Sequence, residues 1–430
     1  MLRSFKMAVA AVTISLGACA TGVPGGGERA SSPESVGLSS ERLQRLTARM
    51  QEGVAKGEYP GGVLVIGRQG KVAYTQTFGL LNPETKVPMR EDAIFRIASM
   101  TKPFASLAIM MLSEEGKLSI VDRVDKYLPE LKDVKVGAVK PGADGKPVLT
   151  LEAQKKPMTV QDLLRHTAGL TYGSADHPVK QAYLDAKVGD RNDTNAMYLA
   201  KLAKVPLLFQ PGTTWEYSVA VDVLGIIVER VSGLPLDKFI AERIAGPLKL
   251  PDTGFAAPAS QAARGARPQR EGPKNIVPNI PLVTEDQTFK SGGGGMVSTA
   301  ADYARFCQFW LNGGELDGVR LVSPKTIELM TSNHLAPGTP IGPDMARFEA
   351  LAPSAEMGQG FGLGFAVRTD AGRNPLQGSV GDYYWGGAQG TYFWIDPKEK
   401  LYVVFMMQSP AARLTYRFLL RQMVYQAVVK

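Results

Sequence analysis

Ser99 and Lys102 stand three residues apart in the stretch Ser99-Met100-Thr101-Lys102. Here an extended run, residues 93–98, meets a helical pattern that continues to about Leu112. Residues three apart on a helix share one face. At a helix start, a serine has its own N–H and the positive end of the helix dipole aimed at whatever it attacks. Burial disfavours the charged form of a lysine. A lysine able to give up its proton beside a serine hydroxyl makes a nucleophile without any histidine. The same tetrapeptide also describes an ordinary helix cap followed by a solvated lysine, so its context must decide.

Three later segments supply that context. In Pro211-Gly212-Thr213-Thr214-Trp215-Glu216-Tyr217-Ser218, a Pro-Gly turn leads into a helical run through Val221, Leu224, Ile227 and Val228. Tyr217 sits where loop becomes helix, a place from which a phenol reaches a cleft or packs half-buried in a core. Trp385-Gly386-Gly387-Ala388-Gln389-Gly390 precedes an apolar strand at residues 391–395. Glycines there let a strand edge approach a ligand and leave N–H groups free. Leu163-Leu164-Arg165-His166-Thr167-Ala168-Gly169-Leu170 ends a short helix that Thr159 and Asp162 start as a capping box.

In this order, the segments resemble the β-lactamase-like serine hydrolases that share a fold with penicillin-binding proteins. That group includes class C β-lactamases, D-Ala-D-Ala carboxypeptidases, D-aminopeptidases and family VIII carboxylesterases. The resemblance runs from about Leu43 to the C-terminal helix, through residues 95–102, 166–170, 211–218, 247–255 and 293–303. It implies acyl transfer at Ser99, with Lys102 and Tyr217 sharing the serine proton as a coupled pair. It also implies an oxyanion site made by the backbone N–H groups of Ser99 and Ala388. Trp385, with Gly386 and Gly387, would wall the pocket, and no metal or cofactor is expected.

Two departures from the class C pattern shift the expected substrate. Val219 stands where an asparagine follows the tyrosine, and Trp385-Gly386-Gly387 stands where the strand carries Lys-Thr-Gly. The missing lysine removes a cation that would hold a substrate carboxylate. The missing asparagine removes an amide that would hold an amide side chain. Trp-Gly-Gly resembles the family VIII esterases, so the expectation is a carboxylesterase on short-chain esters. The alternatives are a β-lactamase or D-amino-acid peptidase on cell-wall-like amides, with Arg96 or Gln389 supplying polar recognition, and a non-catalytic envelope binding module.

Composition narrows the class. The 430 residues are 44% hydrophobic and 21% charged, ample for a large core and unlike a disordered chain. The formal net charge of +8 is spread out, with no basic run or basic-aromatic alternation, so no nucleic-acid partner is expected. Residues 1–20 read as a bacterial leader, with Arg3 and Lys6 before an apolar centre at residues 7–16. Leu16-Gly17-Ala18-Cys19 resembles a lipobox, which would lipidate Cys19 and anchor the protein to a membrane on the periplasmic side. Ala18-Cys19-Ala20 also fits ordinary secretion. If Cys19 is lipidated or removed, Cys307 is left alone, and a buried thiol is its default. The three histidines, His166, His177 and His334, show no metal spacing.

The elements that must position these groups follow from periodicity. A Gly/Ser/Pro-rich stretch at residues 21–37 reads as a tether, and a helix with Leu43, Leu46, Met50 and Val54 on one face follows. Strands are expected at 61–66, 71–78, 363–368, 391–396 and 401–408, with a terminal amphipathic helix over 412–429. Residues 137–156 and 256–281 read as loops. The expected architecture is α+β: an antiparallel sheet built from both chain ends, flanked by N- and C-terminal helices. A sheet subdomain (about 38–98 and 290–430) would carry an inserted, mostly helical one (about 99–289), with the active site between them. Oligomeric state is not legible.

Overall fold

The computed structural model describes residues 27–142, 147–343, 348 and 351–430. Cys19 and the leader lie outside the described residues. Residues 27–37, which read as part of the tether, pack on the sheet instead. Arg29 bridges to Val72, Pro33–Val36 forms a 3-10 helix, and Val36 is buried. Two features close that turn: Ser32 caps it, and Gly37 takes a positive φ of 75°.

Helix α1 (Ser40–Ala55) starts at the Ser39 cap and buries Leu43, Leu46 and Met50. Strands β1 (Gly61–Arg68) and β2 (Lys71–Asn82) form a hairpin, and β3 (Val87–Pro88) adds an edge. The short strand β4 (Phe95–Arg96) leads through a 3-10 turn into α2 (Lys102–Glu114), which is buried along nearly its whole length. Residues 137–156 are not a plain loop. β5 (Val136–Pro141) and β6 (Pro147–Glu152) pair as a separate hairpin from Val136↔Glu152 to Pro141↔Pro147. Its Gly, Pro and Lys content hides the pairing, because Val139, Val148 and Leu151 stay exposed and give no burial pattern.

The middle carries α3 (Val160–Leu164), α4 (Pro178–Asp185), α5 (Asn195–Leu202), α6 (Ala220–Ser232) and α7 (Leu236–Ile240). The Thr159–Asp162 capping box is present at α3. After the largely irregular segment that follows, β7 (Val297–Ser298) pairs with β4, and α8 (Ala300–Leu311) packs on the sheet. A small hairpin of β8 (Glu315–Leu316) and β9 (Val319–Arg320) precedes α9 (Pro324–Met330).

The chain closes with β10 (Gln359–Phe361), β11 (Ala366–Arg368), β12 (Tyr383–Gly386), β13 (Tyr392–Asp396), β14 (Leu401–Met407) and α10 (Arg413–Tyr425). The eight-stranded antiparallel sheet runs β10-β11-β12-β13-β14-β1-β2-β3, so the last strand of the chain pairs with the first. Alternation sorts its two faces. On β13, Phe393 meets Tyr303 of α8, while Tyr392 and Trp394 meet Arg421 and Tyr425 of α10. Helices α1 and α10 pack together on the second face.

Candidate active site

Ser99 sits in the 3-10 turn Ala98–Thr101, pinned from three sides. β4 pairs Phe95 with Ser298 and Arg96 with Val297. Thr101 Oγ1 accepts from the Met296 amide at 3.1 Å, and Tyr303 donates to the Met100 carbonyl at 3.0 Å. Ala98, just before the serine, has φ +45°, a conformation that costs a non-glycine residue energy and must be held by its surroundings. Ser99 is thereby left partly exposed while Met100, Thr101 and Lys102 are buried.

Lys102 is 1% exposed, and its ammonium position meets three acceptors. Nζ lies 3.3 Å from Ser99 Oγ, 3.2 Å from the Tyr172 hydroxyl and 2.7 Å from the Gly293 carbonyl. It also lies 4.5 Å from the centre of the Tyr217 ring. Three donors on a lysine fit three acceptors. The Gly293 carbonyl is itself held in place: Asp222 of α6 accepts from the Gly293 amide at 3.0 Å and from Ser291 Oγ at 2.5 Å. Burial raises the Asp222 carboxyl, and the nearby Lys102 charge lowers it.

Tyr217 enters from the loop before α6, as its sequence position suggested. Its phenol oxygen accepts from the Trp385 indole N–H at 3.1 Å, and the two rings lie 5.1 Å apart. Trp385 is thus more than a wall: it is a donor aimed at the tyrosine. Tyr172 rests against the Tyr217 ring at 5.4 Å, and burial pushes its phenol well above the usual tyrosine range. Sequence reasoning missed Tyr172, although it lies only two residues past the Gly169-Leu170 end of a segment already singled out.

Two cavities meet at the serine, and Ser99, Tyr217, Ala388 and Gln389 line both. The first, about 410 Å³, has Phe348, Tyr384 and Trp385 in its walls. The second, about 430 Å³, has Tyr172, Arg191, Asp222 and Val219. The turn after β12 projects Ala388 between them. Gly387 donates to the Thr391 carbonyl at 2.8 Å, and Thr391 Oγ1 donates to the Ile97 carbonyl at 3.1 Å, tying the turn to the Ser99 segment. A Cβ on Gly387 would stand 2.5 Å from that Ile97 oxygen, so glycine alone permits the approach.

Arg96, expected as a source of polar recognition, does not serve that way. Its guanidinium is spent on the Phe255, Leu282, Glu285 and Gly295 carbonyls. Burial lowers its pKa to about 10. Gln389 does line the cleft. His166 lies off both cavities, buried, with φ +57° and Nδ1 3.2 Å from Ser218 Oγ. Burial holds it well below its usual pKa. Cys307 is a buried free thiol on α8. Among the described residues, no cluster of His, Cys, Asp or Glu is arranged to hold a metal.

A partly exposed serine beside a buried lysine, facing two tyrosines and a glycine turn at the mouth of a cleft, has the outline of an acyl-transfer site. Comparison with known proteins gives the family. The family model described as Beta-lactamase matches residues 46–422. Protein Rv1367c of Mycobacterium tuberculosis is 37% identical over 369 residues, covering 84% of this chain and 88% of its own. Esterase EstB of Burkholderia gladioli is 30% identical over 392 residues, covering 85% and 90%. The solved structure of EstCE1, described as a hydrolase with promiscuous acyltransferase activity, superposes with a TM-score of 0.72 at 29% identity, covering 89% of this chain and 98% of its own. With its sheet, its inserted helices and its Ser-x-x-Lys turn in place, this chain belongs to the beta-lactamase family.

Proposed function

We propose that this serine hydrolase is a carboxylesterase on short-chain esters that works through an acyl-enzyme at Ser99. The observation that carries the reading is Ser99 Oγ within 3.3 Å of the buried Lys102, at the junction of two cavities, on a strand edge that offers an indole in place of a cation. Ser99 Oγ attacks the ester carbonyl, and its proton passes to the Lys102–Tyr217 pair and on to the departing alcohol. The Ala388 and Ser99 amides would hold the oxyanion. The Ala388 N–H takes no partner among the described residues. Water then cleaves the acyl-enzyme, with Tyr217 as base. Each oxyanion donor of this kind is worth roughly 3–4 kcal/mol in the transition state. Esters suit the site because an alcohol leaves more readily than an unstrained amine.

We place the enzyme on the periplasmic side of a bacterial envelope, anchored by a lipid on Cys19. A side-by-side turnover screen tests the substrate class: p-nitrophenyl esters of graded length, a chromogenic cephalosporin and D-amino-acid amides. Short esters should show the highest kcat/KM, with the cephalosporin slower by at least roughly 100-fold, about 2.7 kcal/mol. A cephalosporin turned over faster than p-nitrophenyl acetate or butyrate would sink the esterase reading.

A further inference from the structure

Lys102 meets two tyrosines, and a buried polar residue precedes each in the chain: Thr171 before Tyr172, and Glu216 before Tyr217. These two neighbours are joined. Thr171 Oγ1 donates to Glu216 Oε1 at 3.0 Å. Lys180, on α4, places its ammonium 3.0 Å from the same oxygen. Lys180 is 2% exposed and Glu216 is 1% exposed. None of the three lines either cavity at Ser99, whereas Tyr172 and Tyr217 do.

The Glu216 segment is held on both sides. Its amide donates to the His166 carbonyl at 2.9 Å. The Trp215 amide donates to the Pro340 carbonyl, and the Gly342 amide donates to the Trp215 carbonyl, both at 2.9 Å. A Cβ on Gly342 would stand 1.7 Å from Glu216 Oε2, so this cover closes over a glycine.

Burying an ion pair takes two charges out of water, and apolar residues of similar volume often serve stability as well or better. What such a pair adds is geometry, because a carboxylate held by an ammonium and a hydroxyl is fixed in place. Here the fixed carboxylate ties together the two segments that carry Tyr172 and Tyr217. Those tyrosines surround one ammonium: Lys102 Nζ is 3.2 Å from the Tyr172 hydroxyl and 4.5 Å from the centre of the Tyr217 ring. A displacement of about 1 Å in such an arrangement can cost roughly a hundredfold in rate.

We propose that Lys180, Glu216 and Thr171 are positioning residues that set the separation of Tyr172 and Tyr217 around Lys102, and so the path of the Ser99 proton. The proposal rests on the Ser99 acyl-enzyme reading and adds three residues that touch no substrate.

The test separates positioning from folding. Thr171→Val keeps the side-chain shape and the ion pair but removes the hydroxyl link. It should lower kcat on p-nitrophenyl butyrate tenfold or more, leave KM within about threefold, and slow fluorophosphonate labelling of Ser99 by a similar factor. Its melting temperature should stay close to the wild type. Thr171→Ser restores the hydroxyl and should bring kcat back to within about threefold of the wild type. The double variant Lys180→Met/Glu216→Gln leaves no lone buried charge and keeps an acceptor for Thr171, but loses the ionic anchor to α4. It should fold and still lose at least tenfold in kcat. Should Thr171→Val fail to fold, the double variant decides by the same criteria. A folded variant of either kind with wild-type kcat, a loss confined to KM, or a Thr171→Ser enzyme as slow as Thr171→Val would overturn the proposal. Mapping the wild-type adduct keeps the two readings apart. An adduct away from Ser99 refutes the nucleophile, while one on Ser99 with unaffected variants refutes the positioning.

Discussion

At the scale of single residues, the site is a small set of mutually dependent contacts around Lys102. Lys102→Ala and Tyr217→Phe should each lower kcat by roughly a thousandfold or more, and the double variant should be little worse than either, because groups acting as one unit are not additive. Multiplicative losses in steady-state kinetics would mean that the two work independently. Trp385→Phe keeps the ring and removes the N–H that reaches Tyr217 at 3.1 Å. A lost hydrogen bond of this kind costs about 1–2 kcal/mol, so kcat should fall roughly tenfold while the melting temperature barely moves. Ser99, Lys102 and Tyr217 were legible in the sequence because each sits in a short motif at a local boundary. Tyr172 was not, because what gives it meaning is a contact across the fold, to Lys102.

At the scale of elements, burial decides what the sequence reveals. Strands β1, β13 and β14, buried throughout, stand out as apolar runs, and the α1 and α8 stripes appear at helical spacing. The β5–β6 hairpin stayed hidden because pairing, not burial, defines it. Helix α8 also carries a pH-dependent cost. Burial raises the carboxyl of Asp302, in its first turn, from 3.8 to about 6. Between those values the folded chain holds a proton that the unfolded chain has lost, so stability falls as pH rises through that window. The full cost, up to about 3 kcal/mol, is present at neutral pH. An asparagine keeps an acceptor for the Asp252 amide and the Thr253 hydroxyl, both now held by Oδ2. Melting curves of Asp302→Asn should therefore gain on the wild type between pH 4 and pH 7. A constant difference across that range would show that Asp302 does not titrate there.

At the scale of the whole molecule, the closure of β14 onto β1 brings both chain ends into one sheet and leaves the cleft between that sheet and the inserted helices. That plan was expected from hairpins at both ends with helices between them. The proposed envelope address rests on the reading of residues 1–20 as a leader. Metabolic labelling with a fatty acid should tag the protein, and Cys19→Ser should abolish the tag; an unlabelled soluble protein beginning at Thr21 would instead indicate ordinary secretion. Catalysis through an acyl-enzyme on Ser99 is tested by trapping that species. The enzyme is quenched in acid during turnover of p-nitrophenyl butyrate, or reacted with a fluorophosphonate, and digested for mass spectrometry. One adduct is expected, on the peptide containing Ser99, and it should be absent from a folded Ser99→Ala variant that no longer turns over esters. An adduct on another residue, or wild-type turnover by Ser99→Ala, would contradict it.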